Sequence, residues 1–457
     1  MSHRLGSMHE VSPASEKPRT PPPRLGLLSG IGVNVGTMIG TGVFVSAGFM
    51  AASMSFGVIL LAWLVGGVAA MCGARAYASV AELVPRSGGE YRYLSDLVHP
   101  WLGYVAGWTS LIAGFSAPVA AAAASAGPFA ETLAPGLHPQ LFAAAIVVGI
   151  TLVHAFDLGV SKLVQDGLAL VKVVLVIGFI VVGLVVGSRH MPTWQPLAPK
   201  EGSDLVWLFM AQLVYVMYAY SGWNTAVYAA EEFVDPRRTV PRSMVLGTAL
   251  VMVLYLLVNW VMGANLTQEM VSTFLKGDLS RITLGHLVTV QLLGETGGKI
   301  MSVLVVLALL SSMSAMTMVG PRVYAAMAHD GFFPRIFAGS GERPPLFSVL
   351  LQSALALVIL FTHKPDQIIA NVGVLLTLSS ALTVAALFKV QFGRTGLPRP
   401  GTLPLFCAAL FIVISIWMFK AALRVSAESA IWIGAIVVIA TLGYFATSAV
   451  RRRGVPR

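Results

Sequence analysis

Charge is what this sequence has little of. Lys, Arg, Asp and Glu make up 11% of its 457 residues while 56% are hydrophobic, more apolar side chain than the interior of a water-soluble domain encloses. A bilayer is the expected solvent. Cysteine is nearly absent: Cys72 and Cys407 both sit inside apolar runs, which excludes a disulfide framework and favours free, packed thiols. Acidic residues are scarcer than basic ones, 20 against 30, but the formal charge of +10 is spread singly between apolar segments. That excludes the contiguous basic face nucleic acid requires, and the cations read as topology information. There is no HExxH pair, no pair of carboxylates within an apolar run and no Cys-His cluster, and the nine histidines are scattered. Neither a metal site, a cofactor nor an enzymatic centre is indicated. Residues 1–24 are polar, rich in Pro and Ser and lack an apolar core followed by a small-residue cleavage site; a disordered cytoplasmic tail is expected, not a cleavable signal peptide.

What is present is a series of apolar stretches of roughly 18 to 25 residues, each long enough to cross a ~30 Å hydrocarbon core. They run Leu27–Ala51, Phe56–Leu83, Trp101–Gly127, Leu141–Phe156, Leu163–Gly187, Asp204–Ala230, Met244–Leu266, Ile300–Met327, Leu346–Phe361, Ile368–Phe392, Leu403–Leu423 and Ala430–Val450. The expectation is an all-α, multi-pass protein of the cell membrane with about twelve transmembrane helices. The fourth and ninth are short. With the N-terminus inside, 20 of the 30 Lys and Arg residues fall in cytoplasmic segments and 8 in external ones, so both termini are expected in the cytoplasm.

Two of these helices carry weak points at mid-span. Helix 1 reads Gly36-Thr37-Met38-Ile39-Gly40-Thr41-Gly42-Val43-Phe44, and each interior glycine costs about 1 kcal/mol of helix stability relative to alanine. Helix 6 reads Tyr218-Ala219-Tyr220-Ser221-Gly222-Trp223-Asn224. A five-helix unit repeated after itself returns upside down, which predicts an inverted repeat of helices 1–5 (residues 25–200) and 6–10 (201–395). Residues 396–450 would add two peripheral helices and 451–457 a basic tail. A helix broken at the midplane exposes unpaired N–H groups on one half and unpaired C=O groups on the other, tolerable only if a ligand or cavity satisfies them. An amino acid offers both partners, its carboxylate to the N–H groups and its ammonium to the carbonyls. The competing explanation is packing, since Gly32, Gly36 and Gly40 form a small-residue stripe. The glycine spacing does not fit a nucleotide-binding loop, and no strand precedes it.

The blocks Gly36–Phe44, Ala81-Glu-Leu-Val-Pro-Arg-Ser-Gly-Gly-Glu-Tyr-Arg-Tyr-Leu94, Ala219–Asn224, Asp235-Pro-Arg-Arg-Thr-Val-Pro-Arg242 and Gly320-Pro-Arg-Val-Tyr-Ala-Ala-Met-Ala-His-Asp-Gly331 occur in this order. In them the chain resembles the amino acid-polyamine-organocation superfamily, especially permeases of its L-type and cationic branches. The resemblance implies a leucine-transporter-type fold and secondary transport of amino acids. It also implies a substrate site at Ile39, Gly40, Thr41, Gly42 and Val43 for the carboxylate and at Tyr218, Ala219 and Ser221 for the amine, with Tyr218 as an aromatic gate or an ordinary core aromatic. Asn224 directly follows the second break and joins the site.

Lys172 lies about ten residues into helix 5, which at ~1.5 Å per residue is ~15 Å deep. An ammonium there must pair with protein groups. By resemblance the lysine stands where sodium-coupled relatives bind the cation, so the chain is expected to be sodium-independent. Lys172 would hold helix 1 to helices 5 and 8 through carbonyls near Gly40 and the hydroxyls of Ser311 and Ser312, as a switch or a static tether, with Tyr255 between it and the substrate. Asp157, Asp166, Asp204, Glu231 and Glu232 all fall toward helix ends, which favours neutral L-amino acids, and the resemblance of Val164–Lys172 to proton-coupled and exchanging family members implies proton symport or exchange. A polyamine carrier or a transporter-like nutrient sensor stays open. Animal L-type transporters are linked to a heavy chain through a cysteine between helices 3 and 4; residues 127–140 here contain none. No disulfide-linked heavy chain is expected, and a monomer would suffice.

Overall fold

The computed structural model describes residues 25–51, 53–156, 158–194, 205–266, 270, 284–339, 345–425 and 428–453. Among them the chain is helical with no β-strand; one isolated parallel bridge joins Leu25 to Phe233. In chain order the helices are α1 (Leu27–Met38), α2 (Thr41–Ala51), α3 (Phe56–Leu83), α4 (Gly89–Leu97), α5 (Pro100–Thr109), α6 (Ala117–Leu133), α7 (Pro139–Phe156), α8 (Leu158–Val185), α9 (Leu205–Tyr220) and α10 (Pro236–Asn265). They continue as α11 (Leu284–Val319), α12 (Pro321–His329), α13 (Leu346–Thr362), α14 (Pro365–Phe392), α15 (Thr402–Val425) and α16 (Glu428–Arg453).

Ten stretches among the described residues are long and apolar enough to span a bilayer, and two further apolar helices, Pro139–Ala155 and Leu346–Thr362, are shorter. The protein is a multi-pass membrane protein. Apolar side chains left outside the core fit that solvent: on α8, Leu163, Leu170, Val174, Val181 and Val185 are all exposed, a face water would disfavour but lipid accepts.

Inside, small residues bring backbones together. Ala117, Ala120, Ala121, Ala122, Ala123 and Ala126 on α6 are buried, and α6 packs along α11; without bulky side chains between them, two helices gain dispersion contact that lipid does not supply. Between α5 and α6 the helix widens into a π-turn at Ser110–Ser116, a local irregularity that turns Gly114 and Phe115 toward the interior cavity. The eighth expected span differs most from its reading. Its apolar run begins earlier, at Leu284, kinks at Gly294 (φ +67°, ψ −160°), and ends at Val319, before Gly320-Pro321 starts a separate short helix. Proline cannot donate the backbone bond that would continue α11.

Candidate functional site

The first weak point divides into two helices. α1 ends at Met38, Ile39 leaves the helical region (φ −74°, ψ 95°) and α2 resumes at Thr41. Helix starts have no intrahelical acceptor for their first amides, so the N–H groups of Thr41, Gly42 and Val43 are available at this end. At the second weak point α9 ends at Tyr220, Gly222 takes a left-handed φ of +102°, and the chain continues as a 3₁₀ helix, Thr225–Glu232. Two hydroxyls close the freed carbonyls: Ser221 Oγ donates to Tyr218 O at 2.6 Å and Thr225 Oγ1 to Gly222 O at 2.6 Å. Serine and threonine favour such local bonds over a continuing helix.

The interruptions lie against each other. Gly42 faces Ala219, where a Cβ would collide with the Ala219 backbone, and Gly222 faces Thr37 and Met38, with Thr37 Cγ2 only 2.8 Å from the place a Cβ would take. The Tyr255 hydroxyl lies between both, its one proton within reach of Met38 O (2.6 Å) and Ala219 O (3.0 Å). Its ring packs on Trp63 and Tyr220, with centroids 5.1 Å away in each case. Lys172, fully buried, donates to the carbonyls of Gly36 and Ile39, the latter at 2.6 Å. The final carbonyls of α1, which have no helical donor, therefore receive an ammonium instead. Asn34 accepts the Ala226 amide at 2.9 Å and ties α1 to the 3₁₀ segment.

Several expected contacts take another form. Ser312 Oγ approaches Thr37 O at 3.5 Å and would lie 2.7 Å from a Cβ on Gly40, while Ser311 Oγ has no hydrogen-bond partner among the described residues. Ser312 thus lies against α1, and among the described residues neither serine hydrogen-bonds Lys172. The packing stripe is partial: nothing lies within 4 Å of a Cβ on Gly32, whereas Gly40 is tightly opposed. Asn259 on α10 donates to Tyr255 O four residues back on its own helix at 2.8 Å.

A cavity opens beside the breaks. Thr37, Ser221, Gly222 and Asn224 line it, and Met217, Trp223, Met316 and Phe411 supply apolar wall. Of the expected binding residues, Ser221 and Asn224 line it, while Ile39, Gly40, Gly42, Val43, Tyr218 and Ala219 do not. Thr41 opens α2, and its side chain lies outside the described residues. Tyr218 O is already engaged twice, by Ser221 N at 3.0 Å and Ser221 Oγ.

Glu90 also lines the cavity and was missing from the sequence reading. Gly88 and Gly89, both at positive φ (117° and 54°), turn the chain so that α4 starts inside the bundle and carries Glu90 with it. Glu90 is 5% exposed and accepts from Asn224 Nδ2 at 2.6 Å and Tyr228 OH at 2.8 Å. Burial pushes its carboxyl above the ordinary carboxylate range, and hydrogen bonds pull it partly back. The signal was there, a carboxylate after a Gly-Gly pair in a sequence poor in acids, but it lay between spans and read as loop. Glu90 lies in the first turn of α4 yet lines the cavity, and it is not among the acids Asp157, Asp166, Asp204, Glu231 and Glu232 on which the expectation of neutral substrates rests.

The sequence model of the family described as Amino acid permease matches residues 25–445. The chain belongs to this family. The permease is 26% identical over 412 residues to b(0,+)-type amino acid transporter 1 of Mus musculus, covering 87% of this chain and 82% of that protein. Over 409 residues it is 26% identical to Large neutral amino acids transporter small subunit 2 of Homo sapiens, covering 86% and 74%. It is also 26% identical over 427 residues to the Cystine/glutamate transporter of Homo sapiens, covering 91% and 83%. These relatives are named as amino acid transporters, which supports amino acid transport by this permease. Both of its cysteines are free; Cys407 is buried in α15 and Cys72 half-buried in α3.

Proposed function

We propose that this permease is a sodium-independent secondary transporter that moves neutral L-amino acids across the cell membrane by alternating access, as a proton-coupled symporter or an exchanger. The observation that carries the reading is the apposition of the two interrupted helices, Gly42 against Ala219 and Gly222 against Thr37, with the Tyr255 hydroxyl between them. In this reading helices 1–5 (25–200) and 6–10 (201–395) are inverted halves, the breaks lie at the bilayer midplane, residues 396–450 are peripheral and both termini are cytoplasmic. The substrate carboxylate meets the amides of Thr41, Gly42 and Val43 at the positive end of α2. Its ammonium meets carbonyls at the end of α9. A carbonyl oxygen has two lone pairs: Tyr218 O already accepts two bonds and Ala219 O one, so Ala219 O and Ser221 O are the acceptors with capacity left. Lys172 in place of a sodium site supports sodium independence, since its ammonium already neutralises the carbonyls a cation would need. The absence of cysteine from residues 127–140 supports transport without a disulfide-linked partner.

A carrier of organic amines is the second reading, and Glu90 in the cavity wall is the observation that favours it. Uptake of a labelled amino acid panel into proteoliposomes decides, run with and without sodium, a pH gradient and internal substrate. Sodium-independent uptake driven by either gradient is expected. Binding without uptake or exchange of any amino acid would overturn transport.

A further inference from the structure

Asn224 follows the second break and lines the cavity, and its backbone is fixed: Asn224 O accepts the Val227 amide at 3.0 Å, and Asn34 Oδ1 holds the Ala226 amide at 2.9 Å. What is left to choose is which end of its side-chain amide meets the cavity. Three side chains decide it. Asn224 Nδ2 donates to Glu90 Oε1 at 2.6 Å and to Tyr228 OH at 3.3 Å, while Tyr228 OH donates to Glu90 Oε2 at 2.8 Å. The Tyr77 phenol on α3 and the backbone amide of Glu90 also lie beside the carboxylate. These four groups are all donors, the surroundings of an ionised carboxylate, which can only accept. An acceptor-only group fixes the sense of the whole ring of bonds. The Tyr228 proton goes to Glu90, the phenol oxygen is left to accept, and both N–H bonds of Asn224 are spent on protein. Asn224 Oδ1 is the atom left over, and among the described residues no donor reaches it.

We propose that Glu90 is a positioning residue for substrate binding: it aims the Asn224 amide so that Oδ1 completes the set of acceptors for the α-ammonium of an amino acid. The inference rests on the transport reading of the same site. An ammonium carries three N–H donors, and the end of α9 offers two acceptors with capacity left, Ala219 O and Ser221 O. Asn224 Oδ1, three residues beyond Ser221 and in the wall of the same cavity, supplies the third. Turned over, the amide would present N–H donors to a cation. Glu90 itself, with both oxygens engaged by protein donors, acts through Asn224 and not by pairing with the substrate. Glutamine in its place carries a donor as well as an acceptor, so the ring of bonds closes in either sense and the Asn224 amide is free to reverse.

The test is the affinity for a labelled neutral amino acid, read as KM of uptake into proteoliposomes and as Kd of the purified protein, in wild type, Glu90→Gln, Asn224→Ala and the double variant. Glu90→Gln should weaken affinity by about tenfold, the scale of one hydrogen bond to a charged group, with the maximal rate changed far less. Asn224→Ala should weaken it at least as much. Adding Glu90→Gln to Asn224→Ala should cost nothing further, because Glu90 then has no amide to aim. Tyr228→Phe keeps the ring against Phe115, 5.1 Å away, and deletes one side of the ring of bonds. It should weaken affinity by about threefold, again only while Asn224 is present, and this pair carries the test if Glu90→Gln does not fold. Additive losses in the double variants, or an unchanged affinity in Glu90→Gln, would overturn the proposal. So would competition by cadaverine, a diamine without a carboxylate, that is present in wild type and lost in Glu90→Gln, since Glu90 would then meet the substrate itself. Uptake of no amino acid by the wild type would sink the transport reading, and this inference with it.

Discussion

The Lys172 ammonium donates to the Ile39 carbonyl at 2.6 Å, at the point where the first helix leaves its helical course. A side chain from α8 thereby supplies the donor that the missing helical turn would have supplied. Lys172→Ala is expected to abolish most transport, since it strands the carbonyls of Gly36 and Ile39 at about 1–3 kcal/mol each. Initial uptake rates, with thermal stability in detergent as the folding control, check this; unchanged transport would remove Lys172 from the mechanism.

Tyr255→Phe keeps the ring between Trp63 and Tyr220 and deletes only the hydroxyl that touches both breaks. The single O–H proton shared between the two carbonyls is lost, a bond of about 0.5–1.5 kcal/mol, and an acceptor is left unsatisfied. The expected result is a maximal rate reduced by roughly tenfold with stability lowered by no more than about 3 kcal/mol, measured by uptake kinetics and denaturation side by side.

Glycines of the two interrupted helices should respond unequally to alanine. Gly42→Ala drives a methyl into the Ala219 backbone, and Gly222→Ala combines a +102° φ with contact on Thr37; each should cost about 1–3 kcal/mol or more and stop uptake. Gly32→Ala meets nothing within 4 Å and should be neutral or stabilising by up to about 1 kcal/mol. Equal tolerance at all three sites would refute the close apposition of the breaks.

The short helix that carries Glu90 is held by a further pair. Arg92 Nη1 lies 2.8 Å from Asp330 Oδ2, which also accepts from Tyr91 OH at 2.6 Å. The Arg92 side chain is only 10% exposed, so Asp330→Asn leaves a nearly buried guanidinium without its counter-ion and should destabilise by about 3–5 kcal/mol. Adding Arg92→Met should recover part of that loss. Melting curves of the two single variants and the double variant test the coupling.

The membrane class, the positions of the apolar helices and the two weak points were legible in the sequence because each is a local property. A run of apolar residues has one solvent that suits it, and a glycine weakens a helix wherever it falls. The depth of Lys172 likewise followed from counting residues along a helix. Which carbonyls receive its ammonium did not, because Gly36 and Ile39 become its partners only when α8 packs beside α1. The same holds for Ser311 and Ser312, adjacent in sequence yet one near Thr37 O and the other unpartnered. Glu90 shows the difference most clearly. Its type and its Gly-Gly neighbours could be read from the chain, but whether a carboxylate between two spans faces water or a cavity depends on where two left-handed glycines aim the next helix, and only packing against Asn224 and Tyr228 decides it.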